Sequence, residues 1–139
     1  MDNKFLFDYI HQHRIAVLST VNKENKPQSA LIGIAISNKL EIIFDTVKYT
    51  RKYANLNLHA EVSLVIGWND ETTVQYEGKV RELGTSKEDD EYRQIYYEVY
   101  PDGRNRAANW PGLVHFVIEP TWIRYSNFNE PVKIDEVNF

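Results

Sequence analysis

No cysteine occurs in the 139-residue chain, which excludes a disulfide framework, a thiolate metal site and a cysteine nucleophile. Long apolar runs are missing too. Nothing approaches the ~18 residues a transmembrane helix needs, and the opening MDNKFLFDYIHQH is too polar for a secretory signal. A cytoplasmic location without membrane contact is therefore expected. Positive charge is not in excess: the formal net charge of −4 argues against a dedicated nucleic-acid binder, which would carry a basic face to neutralise phosphates. The four histidines, His11, His13, His59 and His115, lack metal-ligand spacing. His11 and His13 lie two apart in a helical stretch and so leave it on different faces, and no metal site is expected. There is no Walker-type glycine loop and no nucleophile elbow, and a His–carboxylate–Ser set cannot be assembled from the sequence. Asp89-Asp90-Glu91 reads as a solvated charged stretch of helix.

What is present is ordinary for one globular domain: 42% hydrophobic and 26% charged residues, in a chain long enough to bury a core. Aromatics reach 13%, with nine Tyr and three Trp. Such rings either pack a β core or stack on a flat ligand. Periodicity predicts a short amphipathic helix over Asn3 to His13. Strands follow at Arg14 to Val21, Gln28 to Ser37 and Leu40 to Asp45, then a helix over Arg51 to Leu58. Further strands are read at Glu61 to Gly67 and Thr72 to Leu83, followed by a charged, Tyr-rich helix from Thr85 to Tyr100. Arg104 to Gly112 reads as irregular. Two last strands, Leu113 to Glu119 and Thr121 to Phe128, are separated by a break at Pro120. The tail from Asn129 reads as polar and loosely held. Mostly hairpin-linked strands with a few helices predict a mainly β fold, a six-stranded antiparallel barrel in a single domain.

One segment stands out in this acidic chain. IIFDTVKYTRKYANL, Ile42 to Leu56, passes from buried strand to helix and gathers Lys48, Thr50, Arg51 and Lys52 at the junction. A solvated turn would account for exposed cations there. A phosphate site would account for more: Thr46 and Thr50 offer hydroxyls, Arg51 a planar fork of N–H donors, and Lys52 a compact ammonium. The first turn of the following helix adds N–H groups and a favourable dipole. Asp45 does not suit an anion site, so it must point away or meet a ligand's hydroxyls.

FDTVKYTRKYANL resembles the phosphate-binding motif of the FMN-binding split barrels, the pyridoxamine 5′-phosphate oxidase-like family. IAVLSTVNKENKPQSALIGIAI resembles that family's opening hairpin, and AEVSLVIGWNDETTVQYEGKVREL its central one, so the likeness spans nearly the whole chain. It implies a Greek-key split barrel of FMN-binding type, working as a homodimer with FMN at the subunit interface. It further implies that Gln28, Ser29, Ala30 and Leu31 run along the flavin and that Asp45 and Thr46 lie at the third strand's end. Arg51 and Lys52, helped by Thr50, would grip the phosphate. The family's flavin-reaching Gln stands five residues before its Gly. Thr73 holds that place, counted back from Gly78, with Gln75 two residues on along the same face. Trp122 resembles an aromatic that the second subunit lays against the flavin, although a core or dimer-contact role fits it and Trp68 equally.

The departures bear on function. Gly33 stands where the oxidase has a basic residue that meets its substrate's phosphate. Tyr100-Pro101 stands in place of an Arg-Pro, and the C-terminal Arg-Leu-His element is absent. The flavin half of the motif set is kept and the substrate half is not, which argues against oxidation of pyridoxamine phosphate. The expected function is an FMN-dependent oxidoreductase of unknown substrate. The alternatives are a non-catalytic flavin-binding, sensor or stress-related protein, or a split barrel holding haem or the deazaflavin F420. His59 or His115 would be needed for haem.

Overall fold

Eight strands and four helices form in the order α1 (Asn3–His13), β1 (Ile15–Val21), β2 (Pro27–Gly33), β3 (Ala35–Ile36), β4 (Ile42–Val47), α2 (Arg51–Leu58), β5 (Glu61–Ile66), β6 (Thr72–Glu82), α3 (Lys87–Val99), α4 (Gly103–Asn109), β7 (Leu113–Asn127) and β8 (Lys133–Asn138). The structure is a computed structural model and describes residues 1–139. All strands join one curled antiparallel sheet in the order β2-β1-β5-β6-β7-β4-β3, with β8 added to β7. The architecture is mainly β with flanking helices, a half-barrel in which the concave side carries the core.

The period-2 alternation puts one side chain of each pair inside. Leu18, Ile42, Phe44, Leu64, Ile66, Val74, Tyr76, Phe116, Ile118 and Ile123 are all buried in one cluster. The Phe44 and Phe116 rings stack at 5.4 Å. α1 starts on an Asp2 cap, whose carboxylate accepts from the Phe5 N–H at 2.8 Å, and seats Leu6, Tyr9 and Ile10 in the same core. At the centre, the Tyr76 hydroxyl donates to the carbonyls of Leu40 (2.7 Å) and Ile118 (3.2 Å). Leu40 adopts a left-handed φ of 64°, which costs a non-glycine residue free energy and needs such an anchor.

Eight strands form where a six-stranded barrel was expected, and three local differences lead from the seven runs read in the sequence to those eight. The run Gln28 to Ser37 is two strands: it leaves β1 at Gly33 and joins β4 at Ala35. Between them the Ile34 N–H donates to the Arg14 carbonyl at 2.8 Å. Pro120 does not break β7, because a bulge absorbs it. The β6–β7 register shifts between Glu77 and Gly78, so that Gly78 faces Pro120. A Cβ on Gly78 would come within 2.4 Å of the Glu119 carbonyl, so only glycine fits there. The tail is not loose either. β7 spends its Leu113–Ile118 half on β4, and Lys133–Asn138 pairs with the remaining Trp122–Asn127 half.

Two helical readings also change. Arg104 to Gly112, expected irregular, contains α4, which lies next to β7 and α3. Asp89 is buried rather than solvated: its carboxylate takes both Arg81 guanidinium nitrogens at 2.8 and 3.0 Å and the Gly84 N–H. α3 packs through Tyr96 on the convex side of β3, β4 and β7, against Ala35, Ile43 and Val117. The convex side of β2, β1, β5 and β6 has no such cover, leaving Leu31 (69% exposed), Ile15 (48%) and Val65 (39%) in solvent. No helix is long and apolar enough to cross a membrane.

Candidate anion-binding site at the start of the second helix

Thr50 is the hinge of the site. It adopts extended backbone, φ −85° and ψ 156°, and its Oγ1 accepts the Tyr53 N–H at 3.3 Å, so α2 starts on a threonine cap. The same hydroxyl donates to the Val47 carbonyl at 3.0 Å and lies 3.1 Å from the Thr46 hydroxyl. Thr46 is buried behind it. These hydroxyls fold the turn that presents Arg51 and Lys52; the Thr50 proton is committed to the protein.

A hollow of about 290 Å³ opens beside that turn, lined by Thr20, Gln28, Ser29, Ala30, Thr50, Arg51, Lys52 and Asn55. Six residues expected at the cofactor thus come together from one strand, β2, and the start of α2: Gln28, Ser29, Ala30, Thr50, Arg51 and Lys52. Neither Arg51 nor Lys52 belongs to any of the chain's ion pairs. Burial pushes the Lys52 ammonium below its ordinary pKa, with Asp45 acting the other way. A partly desolvated, unpaired cation is costly unless an anion joins it. Leu31 continues β2 beyond the hollow and is exposed.

Asp45 is not part of this wall. Alternation along β4 turns it away from Thr46 and toward the convex side, where Arg106 of α4 meets it at 3.3 Å. The Tyr96 hydroxyl lies beside it, and burial together with that carboxylate pushes the phenol well above its ordinary pKa. Asp45 also stands across the β4–β7 ladder from His115. His115 is 4% exposed, its ring edge-on to Tyr96 and Tyr97, and burial lowers its pKa.

Thr73, Gln75 and Trp122 lie elsewhere. In the sheet order, β6 and β7 are separated from β2 by β1 and β5, so within one chain these three are remote from the hollow. Gln75 sits on the convex face between Val65 and Arg124. The Thr73 hydroxyl is buried without a partner. Trp122 is half-buried, its indole N–H donating to Glu136 at 2.9 Å.

Two lining residues escaped the sequence reading. The Asn55 amide donates to the Thr20 hydroxyl (3.0 Å) and to Gln28 Oε1 (2.8 Å), bolting α2 to β1 and β2. Signals existed for both. Asn55 falls four residues after Arg51, on the same helix face, and Thr20 is the cross-strand partner of Gln28.

A curled antiparallel half-barrel with flanking helices defines a fold class, the split-barrel-like proteins. A family profile described as "Pyridoxamine 5'-phosphate oxidase" matches residues 3–127, and the chain belongs to that family. No curated protein matches the chain by sequence. Among solved structures it is similar to a haem binding protein from Mycobacterium smegmatis, with TM-score 0.82 and 12% identity, over 99% of this chain and 58% of that one. It is similar to the General Stress Protein 26 from Bacillus anthracis, with TM-score 0.71 and 21% identity over the whole of both chains. A third is a pyridoxamine 5′-phosphate oxidase-related, FMN binding protein from Nostoc punctiforme, with TM-score 0.65 and 10% identity, over 99% of this chain and 90% of that one. At these identities the likeness is one of fold. The chain spans little more than half the length of the haem binding protein.

Proposed function

We propose that the chain is an FMN-binding flavoprotein, and that FMN's phosphate is held by Arg51, Lys52 and the first-turn N–H groups of α2. The observation that carries this reading is the half-buried, unpaired Lys52 beside Arg51, at a helix start that faces Gln28, Ser29 and Ala30. A phosphate dianion supplies the charge that this corner lacks. From that anchor, Gln28, Ser29, Ala30 and Leu31 of β2 would hold the rest of the cofactor. Bound FMN would supply hydride or electron transfer at its ring, and the protein's part is to anchor, orient and shield it. The reading includes oxidoreductase activity on an unidentified substrate.

A homodimer is part of the same proposal. The convex face of β2, β1, β5 and β6 exposes Ile15, Leu31 and Val65, and the Thr73 hydroxyl and Arg124 Nε near it are buried without partners. A second copy would cover that face, and a two-fold operator would bring Thr73, Gln75 and Trp122 of one copy toward β2 of the other. Haem is the competing ligand because one relative of this fold is a haem binding protein. Two features favour FMN over it: the hollow contains no histidine, and His115 is buried on the convex side against Tyr96 and Tyr97.

Titration of the purified protein with FMN, riboflavin and haem tests the reading. Saturable FMN uptake with riboflavin much weaker supports it; a haem Soret band with no flavin uptake refutes it. Bleaching of bound flavin by NADH or NADPH separates a turning-over enzyme from a passive flavin carrier.

A further inference from the structure

β3 is two residues long and ends the sheet, so its two faces are covered by different helices. Alternation turns Ile36 into the main core with Leu6 and Ile10 of α1, and Ala35 into the convex cluster with Tyr96 of α3. The two helices therefore flank one short strand, and a groove of about 410 Å³ lies between them. That volume is within the ~300–1,000 Å³ usual for small-molecule sites. The groove shares no residue with the anion hollow.

Each wall is one face of a helix. On α1, Phe7 and His11 lie four residues apart and their rings stack at 5.4 Å, with 8° between the planes. Arg14 closes the same end of α1 in a left-handed conformation, φ 51°. Its carbonyl accepts the Ile34 N–H at 2.8 Å and the Tyr100 hydroxyl at 2.6 Å, which fixes the base of the guanidinium's stem. On α3, Ile95, Glu98 and Val99 share the facing side. The floor is already satisfied. The buried Ser37 hydroxyl donates to Glu41 at 2.9 Å and accepts the Lys39 and Glu41 N–H groups at 3.2 Å, while the Tyr92 hydroxyl takes the second Glu41 oxygen at 2.5 Å. Polar recognition thus falls to the rim.

Arg14 and Glu98 carry opposite charges on that rim, yet they pair neither with each other nor with any other residue of the chain. Between them lies apolar surface from Phe7, Ile36, Ile95 and Val99. We propose that this groove is a second small-molecule site, and that it takes a free α-amino acid with an apolar side chain. The guanidinium fork of Arg14 matches the carboxylate, Glu98 accepts from the ammonium, and the side chain lies on the apolar wall. A ligand of one charge would leave either Arg14 or Glu98 without a partner; a zwitterion satisfies both. The proposal is independent of the FMN reading, because neither the residues nor the ligand chemistry is shared.

Calorimetric titration of the full-length protein tests it with three probes of nearly one shape: L-leucine, L-leucinamide, which lacks the carboxylate, and 4-methylpentanoate, which lacks the ammonium. Leucine is expected to bind saturably at one site per chain, and the amide and the acid each to bind about tenfold more weakly or worse. Arg14→Gln should remove the preference for leucine over leucinamide, and Glu98→Gln the preference for leucine over the acid. The wild-type probe series decides the matter even if a variant fails to fold. Absence of saturable leucine binding at millimolar concentration overturns the proposal. So does binding of leucine and either analogue with equal affinity, or a preference that survives unchanged in the folded variants.

Discussion

Replacing Arg51 and Lys52 together by alanine removes both free cations from the hollow while leaving its frame. Thr50 still caps α2, and Asn55 still ties it to Thr20 and Gln28. Each charge-assisted bond to phosphate contributes about 1.5–3 kcal/mol. Lys52 is partly desolvated and belongs in that range, whereas Arg51 is exposed and belongs at or below its lower end. The pair together is worth roughly 3–4 kcal/mol, or a factor of about 10² to 10³ in Kd. Fluorescence titration with FMN and riboflavin isolates the term, because riboflavin lacks only the phosphate. The wild type should prefer FMN by at least that factor, and the double variant should lose about that factor of the preference, keeping only what the first-turn N–H groups supply, with riboflavin affinity and melting temperature nearly unchanged. A folded double variant that keeps its preference for FMN to within about threefold would refute the reasoning, since the phosphate would then sit elsewhere.

Other outcomes follow from the same geometry. The Arg81 pair and the Gly84 N–H hold the Asp89 carboxyl down at about 2, from an ordinary 3.8. Its folded pKa is depressed, so its contribution is present above pH ~4 and is lost as pH falls toward ~2. That contribution is about 1–2 kcal/mol once the half-exposed Arg81 is discounted. Asp89→Asn should therefore flatten the acid limb of a stability–pH curve, and an unchanged limb would remove the pair from the account. Tyr76→Phe leaves the Leu40 carbonyl, on a left-handed residue, without its buried donor. A loss of about 1–2 kcal/mol in urea unfolding is expected, and a loss below ~0.3 kcal/mol would mean the anchor is idle. Asn55→Ala unpairs buried Thr20 and half-buried Gln28 and should cost about 1–3 kcal/mol while also weakening FMN binding; stability loss alone would separate the bolt from the site. Because burial lowers the Lys52 pKa, FMN affinity should fall as pH rises through the alkaline range, and Lys52→Arg should push that fall to higher pH.

The grouping of Thr50, Arg51 and Lys52 at the start of α2 was legible because its chemistry is local. Thr50, Arg51 and Lys52 lie within one turn of helix, and a cap signal followed by two cations means the same thing wherever the chain puts it. β2's place in the site was legible only through family resemblance, since nothing in QSAL by itself says that this strand borders α2. The fold misreadings arise where tertiary pairing overrides a local signal. Pro120 reads as a break, yet a bulge opposite Gly78 carries β7 through it. The tail reads as loose, yet the unpaired half of β7 gives Lys133–Asn138 a partner. Asp89 reads as solvated because burial depends on Arg81, which reaches it from another element. Asp45 illustrates the reverse case: strand alternation alone dictates that it and Thr46 face opposite ways.

The central claim is that a phosphate belongs at the start of α2. The structure of the protein crystallised with FMN tests it most directly. The account requires the phosphate within hydrogen-bonding distance of Arg51, Lys52 and the first backbone N–H groups of α2, with the rest of the cofactor against β2. Density for FMN at any other corner, with the Arg51–Lys52 hollow holding only solvent, would contradict it.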